Sequence, residues 1–380
     1  DVLEDLLAVE CGFQDRIAEM RQQVLEEASD AAAQMSASGI SLDEMTEYLR
    51  AHLPRAGRLR VTSESVLPGG ASKLTVLLRV EGCADLPDEI VLRKDIADGL
   101  VDSRVADEYV LLAAAHDAGV LVPRPILAEE DPEVFGGTFL IVERVPGEKL
   151  GEFFPDMCKL PDPEKRRAVG VQLAQTLARL HTMDIDRLRD AHLDLDPDIR
   201  AQVVKIVEDD HARRAAIVGG PPSPEIDLCR QWIIGNLDLA DGEPALVHND
   251  VSMANLMVEG DRLTGLLDWE HARVGVPSMD LGYVKHQVEA LMPWEEFTAA
   301  YLDNGGSPSA CEPESVTFYA LLTYLRCAQA CMLAGHIFRS GLSHDLRLAL
   351  AGYDALYRAH QLLARSLVEA LGVRSAASSP

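Results

Sequence analysis

One change of texture along the chain limits its fold more than any other feature. From Leu59 to about Arg144 the sequence is mostly short β-prone runs, Leu59–Leu67, Leu74–Val80, Glu89–Arg93 and Thr138–Val142, with turn residues between them. A single helix interrupts them between about Ser103 and Ala118, where Tyr109, Leu112 and Ala115 share a face and Gly119 can cap the end. After Pro146-Gly147 the chain turns largely helical. Asp162-Pro163 reads as N-cap and first turn of a helix whose stripe is Val169, Leu173, Leu177 and Leu180. Later helices are expected over roughly 281–302, 313–338 and 345–371, with brief strands at Ala245–Val247, Leu256–Val258 and Thr264–Leu267. The pattern predicts an α+β chain with a small strand-rich lobe (58–146) and a larger helical lobe (147–374), joined near 143–147. Residues 1–57 read as a helical extension: Leu3, Leu6, Leu7, Phe13, Ile17, Met20 and Val24 recur every three or four positions, and Ser41 with Glu44 forms a capping box. Periodicity leaves open whether this extension packs on the main body or on a second copy, and the oligomeric state is open with it. The small-residue tail 375–380 is expected to fray.

Charge narrows the choice of partner. With 62 acidic against 35 basic residues the net charge is −27, which repels nucleic-acid phosphates and anionic membranes. Neither is an expected partner, and a bound nucleotide needs its own local cation or metal. No apolar run approaches the roughly 18 residues that span a bilayer, and the N-terminus lacks the apolar core of a secretory signal. Seven scattered cysteines without a C-x-x-C pair fit reduced thiols, so a soluble cytoplasmic protein is expected. Cys327 and Cys331 lie on one helical face and read as small packing residues rather than metal ligands.

Chemistry concentrates in Leu246-Val-His-Asn-Asp-Val-Ser-Met-Ala-Asn-Leu-Met-Val258 and Leu266-Leu-Asp-Trp-Glu270, an H-x-D-x-x-x-x-N string followed by an apolar run and D-x-E. Phosphoryl transfer needs a carboxylate beside the acceptor hydroxyl and oxygen ligands for magnesium. Asp250 can accept the hydroxyl proton, and Asn255 and Asp268 offer hard oxygen ligands. The alternative is a polar turn between hairpin strands.

These two ordered motifs resemble those of the aminoglycoside phosphotransferase and choline-kinase-like superfamily, over roughly residues 60–340. Leu-Asp-Trp-Glu followed by Gly275-x-Pro277 and Asp280-Leu281 looks most like the phosphotransferase domains related to those fused to acyl-CoA dehydrogenases. The resemblance implies a bilobal protein-kinase-like fold, ATP and Mg2+, with Asp250 as base and Asn255 and Asp268 on the metal. It also implies that His248 supports the loop and that Asp280 hydrogen-bonds backbone there. Glu270 is either a partner of these groups or faces the acceptor. Asn249 stands where the family usually has glycine, and asparagine tolerates positive φ better than most residues.

On the nucleotide side, Pro68-Gly-Gly-Ala-Ser-Lys73 taken alone is a hairpin turn. The resemblance makes it a phosphate-covering loop with Gly69, Gly70 and Ser72 over the phosphates. The strand ending Val91-Leu-Arg-Lys94 offers two cations on opposite faces, Arg93 and Lys94, of which Arg93 is favoured, and Glu108 on the next helix is the expected partner. Glu143 to Val145 resemble the hinge segment that binds adenine through backbone atoms. His181, His211, His286, His336 and His360 have no ligand-like spacing and read as structural, as do Trp232, Trp269 and Trp294. The expected activity is phosphorylation of a hydroxyl on a small molecule. Two rivals remain: a catalytically silent nucleotide-binding scaffold of the same fold, and a hydrolase using the Asp/His pair.

Overall fold

A computed structural model describes residues 40–67, 73–95, 105–188, 198–216, 223–343 and 346–372. The helical periodicity of residues 1–39, the phosphate-loop residues Gly69, Gly70 and Ser72, the helix start at Ser103 and the tail 375–380 lie outside them.

Strands β1 (Arg60–Val66), β2 (Lys73–Glu81), β3 (Glu89–Asp95), β4 (Pro125–Glu129) and β5 (Phe139–Glu143) form an antiparallel sheet in the order β1-β2-β3-β5-β4. Strand alternation sorts their side chains. Val76 pairs with Leu92 and Leu92 with Ile141, so these three share the face that buries Leu78, Ile90 and Phe139. Helix α1 (Leu42–His52) closes that face with Met45 and Leu49, neither of them exposed, and Thr46 Oγ1 accepts the Val61 N–H at 2.9 Å. The described end of the N-terminal extension is therefore part of the small lobe's core. Its start shows the N-cap half of the expected box, with Ser41 Oγ accepting the Glu44 N–H at 3.4 Å. The opposite face of the sheet carries Val91, Leu140 and Val142 against α2 (Val105–Asp117) and the large lobe.

The strand β4 was not expected, since its five residues begin with a proline, and neither were the two-residue β6 (Glu148–Lys149) and three-residue β10 (Arg273–Gly275). Each is too short to show alternation. In the large lobe α3 (Pro163–His181) begins on the expected Asp162 cap, whose Oδ1 accepts the Glu164 N–H at 2.9 Å. It is followed by α4 (Ile199–Ala216) and α5 (Pro224–Gly235). Strands β7 (Ala245–Val247), β8 (Leu256–Glu259) and β9 (Arg262–Leu266) come next, with β7 pairing β10 and β8 lying between β6 and β9.

The helix expected over 281–302 is two, α6 (Ser278–Val288) and α7 (Trp294–Asp303), because Pro293 has no N–H to continue a ladder. Helix α8 (Pro313–Arg339) packs on α6, and α9 (Leu346–Leu350) and α10 (Leu356–Ala370), joined by a π-helical turn, pack on α8. Contrary to the expectation from apolar runs, α8 has the length and mean hydropathy of a bilayer span, but 72% of that window is buried inside the fold. A helix enclosed by neighbours on most sides is apolar all round for that reason.

Candidate active site

The loop between β7 and β8 is fastened through its own backbone. Asp280, fully buried in the first turn of α6, accepts the N–H of His248 at 2.8 Å and of Asn249 at 2.7 Å. His181 Nε2 lies 3.0 Å from the same carboxylate, and Tyr301 Oη holds the other ring nitrogen of His181 at 3.0 Å. Burial opposes the charge on Asp280, but the contacts from His181 and His248 prevail and keep its pKa below the ordinary carboxylate value. Asn249 has φ of +61°, the left-handed geometry expected where asparagine stands for glycine. His248 Nε2 sits 2.9 Å from the Leu267 carbonyl, while its Nδ1 accepts the Asp250 N–H at 3.2 Å. This is the neutral tautomer with the proton on Nε2, and burial, which lowers the pKa of His248, favours it.

That scaffold presents Asp250. Its Oδ2 accepts from Asn255 Nδ2 at 2.8 Å, and its Oδ1 accepts from the Tyr283 hydroxyl on α6. Burial pushes the Asp250 carboxyl up to about 7, against the two hydrogen bonds, which pull it back. Asn255 also donates to the Asp250 carbonyl at 3.0 Å, so its amide nitrogen is committed and its Oδ1 is left to accept. Its own carbonyl accepts the Leu267 N–H at 2.7 Å, which sets Asp268 beside it. Asp268 has φ of +66°, a strained backbone position of the kind that collects at functional sites.

From the small lobe Arg93 reaches across. Its Nη2 lies 2.8 Å from Asp268 Oδ1 and its Nη1 donates to Glu108 Oε1. Burial disfavours the guanidinium charge, but Glu108, Asp268 and Glu270 more than restore it. Glu108, only 2% exposed, also takes Lys73 Nζ at 2.7 Å, and Lys73 stands 3.8 Å from Asp95. Thr75 pairs with Arg93 and Lys73 with Asp95, so both cations rise from the cleft face of the sheet.

The structure thus brings Asp250, Asn255, Asp268, Arg93, Glu108, His248 and Asp280 together. Lys94 is corrected out of the nucleotide set: alternation turns it to the α1 face, where Nζ donates to the Phe135 carbonyl at 2.7 Å. At Glu143 the N–H goes to the Arg124 carbonyl at 2.9 Å and the carboxylate to Arg124 Nε at 2.9 Å, so its carbonyl is the backbone atom that the expected hinge role would use. No backbone hydrogen bond among the described residues claims the Val145 N–H. Glu270 lies toward Arg93 and is not among the residues lining the cavity beside Asp250. Sequence reasoning missed Lys73 as a partner of Glu108, Tyr283 on Asp250, and the part of His181 in holding Asp280. Lys73 was discoverable from strand alternation, being an even number of residues from Thr75; the other two carry no local signal.

Comparison with known proteins agrees with this geometry. The sequence profile of the phosphotransferase enzyme family matches residues 63–313. Acyl-CoA dehydrogenase family member 11 from Rattus norvegicus is 28% identical over 245 residues, covering 62% of this chain and 30% of that protein, so the chain spans about three tenths of its relative's length. Among solved structures, a putative aminoglycoside phosphotransferase from Ralstonia eutropha superposes with a TM-score of 0.65 at 19% identity, covering 88% of this chain and 99% of the other. A GDP complex of an aminoglycoside 2'-phosphotransferase-IIIa mutant gives 0.55 at 18% identity, with 88% and 100% covered.

Proposed function

The chain belongs to the phosphotransferase enzyme family, and from that premise we propose that it is a kinase that moves the γ-phosphoryl group of ATP, with magnesium, to a hydroxyl group on a small molecule. The observation that carries this reading is the placement of Asp250, Asn255 and Asp268 opposite Arg93, with Glu108 behind it.

Asp250 receives the acceptor's hydroxyl proton as the new oxygen–phosphorus bond forms and the bond to the β-bridging oxygen breaks. Tyr283 and Asn255 each hold one oxygen of that carboxylate, so its direction is set before the acceptor arrives. Arg93, held on β3 by Glu108, is the cation for the nucleotide phosphates, and Gly69, Gly70 and Ser72 are the candidates to cover them. The Val145 N–H, unclaimed by any backbone hydrogen bond among the described residues, is the candidate hinge donor for the base. The residues present fit magnesium: Asn255 Oδ1 is left to accept and Asp268 has an oxygen beyond the one on Arg93. Two protein ligands, with the rest from phosphates and water, suit an ion that dehydrates reluctantly, and no cluster of three or more His, Cys, Asp or Glu is needed or found among the described residues. Magnesium, when bound, neutralises charge on the phosphates.

A silent scaffold would need the hinge and the cations but not an aligned Asp250. The reading is tested by acceptor-stimulated nucleoside diphosphate release over a panel of hydroxyl compounds, with ATP and GTP in parallel and with and without magnesium. Nucleotide binding without any transfer across a broad panel would leave the scaffold; preference for GTP would change the donor only.

A further inference from the structure

Beside Asp250 lies a cavity of about 390 Å³ between the catalytic loop, α4, α6 and α8. In a chain of net charge −27 its wall carries three arginines, Arg213, Arg214 and Arg326, against Asp210 and Asp250. Arg214 is spent, since it donates to Asp227. Arg213 and Arg326 are not: among the described residues each comes only within 3.9 Å of Asp210, beyond hydrogen-bond distance, so one carboxylate stands between two guanidiniums without satisfying either. A second observation is independent of charge. Gln329 lines the same cavity at 6% exposure with neither side-chain polar atom bonded among the described residues, and the buried Nδ2 of Asn249, next to Asp250, is likewise without a partner among them. Buried amides left unpaired in a native fold call for a ligand or water.

Unspent groups therefore decide what the cavity suits. Arg326 offers donors only, as does Asn249 Nδ2, and Gln329 adds an amide that can turn either way. An ammonium or other cationic acceptor would meet Arg326 directly and find Asp210, already shared between two guanidiniums, and Asp250, whose two oxygens are held by Asn255 and Tyr283. An oxyanion would be met by charge-assisted bonds from Arg326 and Arg213 and by the amides. Building on the proposed transfer reaction, we infer that the acceptor is a hydroxyl compound bearing a carboxylate or phosphate group, seated by Arg326, Arg213 and Gln329 so that its hydroxyl reaches Asp250. In the transfer the hydroxyl loses its proton to Asp250 and gains the phosphoryl group, and the anionic group stays unchanged.

The test uses acceptors matched in shape but not in charge: glycerate, glyceramide and 3-aminopropane-1,2-diol, with glycerol 3-phosphate as the phosphate arm. The expected result is kcat/KM for glycerate or glycerol 3-phosphate at least roughly tenfold above the amide and the amine. Which of the two anions leads identifies the anionic group. Arg326→Gln should collapse the anion-over-amide ratio and Arg326→Lys should restore part of it. Equal or better use of the amide or amine, or a ratio that survives both Arg326→Gln and Arg213→Gln, overturns the inference. If no member of this set is phosphorylated with ATP or GTP, the transfer reading is judged by the broad panel above, and titration of the same compounds into the wild-type protein and Arg326→Gln decides the cavity. Tighter anion binding that Arg326→Gln abolishes upholds it; binding blind to charge overturns it.

Discussion

On the small-lobe side of the cleft two cations share Glu108 through side chains alone, whereas on the large-lobe side the catalytic loop is tied to Asp280 through its own backbone amides. The first arrangement joins flexible side chains from β2, β3 and α2, and each cation has a second carboxylate within reach, Asp95 or Asp268. The second fixes the path of the chain at His248 and Asn249, and Tyr283 and Asn255 then hold the two oxygens of Asp250 on that fixed backbone. In the proposed reaction, a nucleotide arriving with a metal would need cations that can change partners, and proton transfer would need a carboxylate that cannot move.

If the two sides are separable in this way, the largest effect belongs to Asp250. Asp250→Asn is expected to lower kcat by roughly 10²- to 10⁴-fold, the usual scale of a lost general base, with nucleotide affinity by titration within about twofold of wild type. A parallel loss of nucleotide affinity would break the comparison, because the loop would then be holding the donor as well.

Next comes the anchor. Asp280→Ala removes the acceptor of two backbone N–H groups and of His181 in a site without solvent. A cost of about 3 to 5 kcal/mol in chemical denaturation is expected, typical of breaking a buried charged network. Unchanged stability with lost activity would mean that Asp280 acts on the reaction directly.

A smaller effect separates the two cations. Arg93→Met should raise the KM for nucleotide by roughly 10- to 100-fold, the scale of charge-assisted bonds, while Lys73→Met raises it severalfold at most. Arg93 alone of the two reaches Asp268, and among the described residues Lys73 reaches only Glu108 and Asp95. The reverse order would reassign the phosphate cation to β2.

What the sequence revealed follows the same division. Asp250, Asn255 and Asp268 were legible because one loop and one hairpin bring them together, so spacing alone encodes their meeting. Even the positive φ at Asn249 was readable, because the residue type tolerates it. Glu108 meeting both Arg93 and Lys73 depends on strand register and helix docking. Tyr283 reads as a core aromatic of α6 until the helix is placed against Asp250. Arg326 and Gln329 sit in a helix otherwise occupied with packing, and only the cavity distinguishes them from its neighbours.

The smallest effect tests alternation itself. Arg93 and Lys94 are adjacent, of like charge and at the end of the same strand, so composition gives no reason to separate them; the pleat does, turning one toward Glu108 and the other toward Phe135. Lys94→Ala should leave nucleotide KM and kcat within about twofold, while removing the hydrogen bond to the Phe135 carbonyl costs roughly 1 kcal/mol of stability. A tenfold rise in nucleotide KM for Lys94→Ala would require β3 to bulge or slip by one residue when nucleotide binds. That slip would carry Arg93 off Glu108 and merge the two sides that the static arrangement keeps apart.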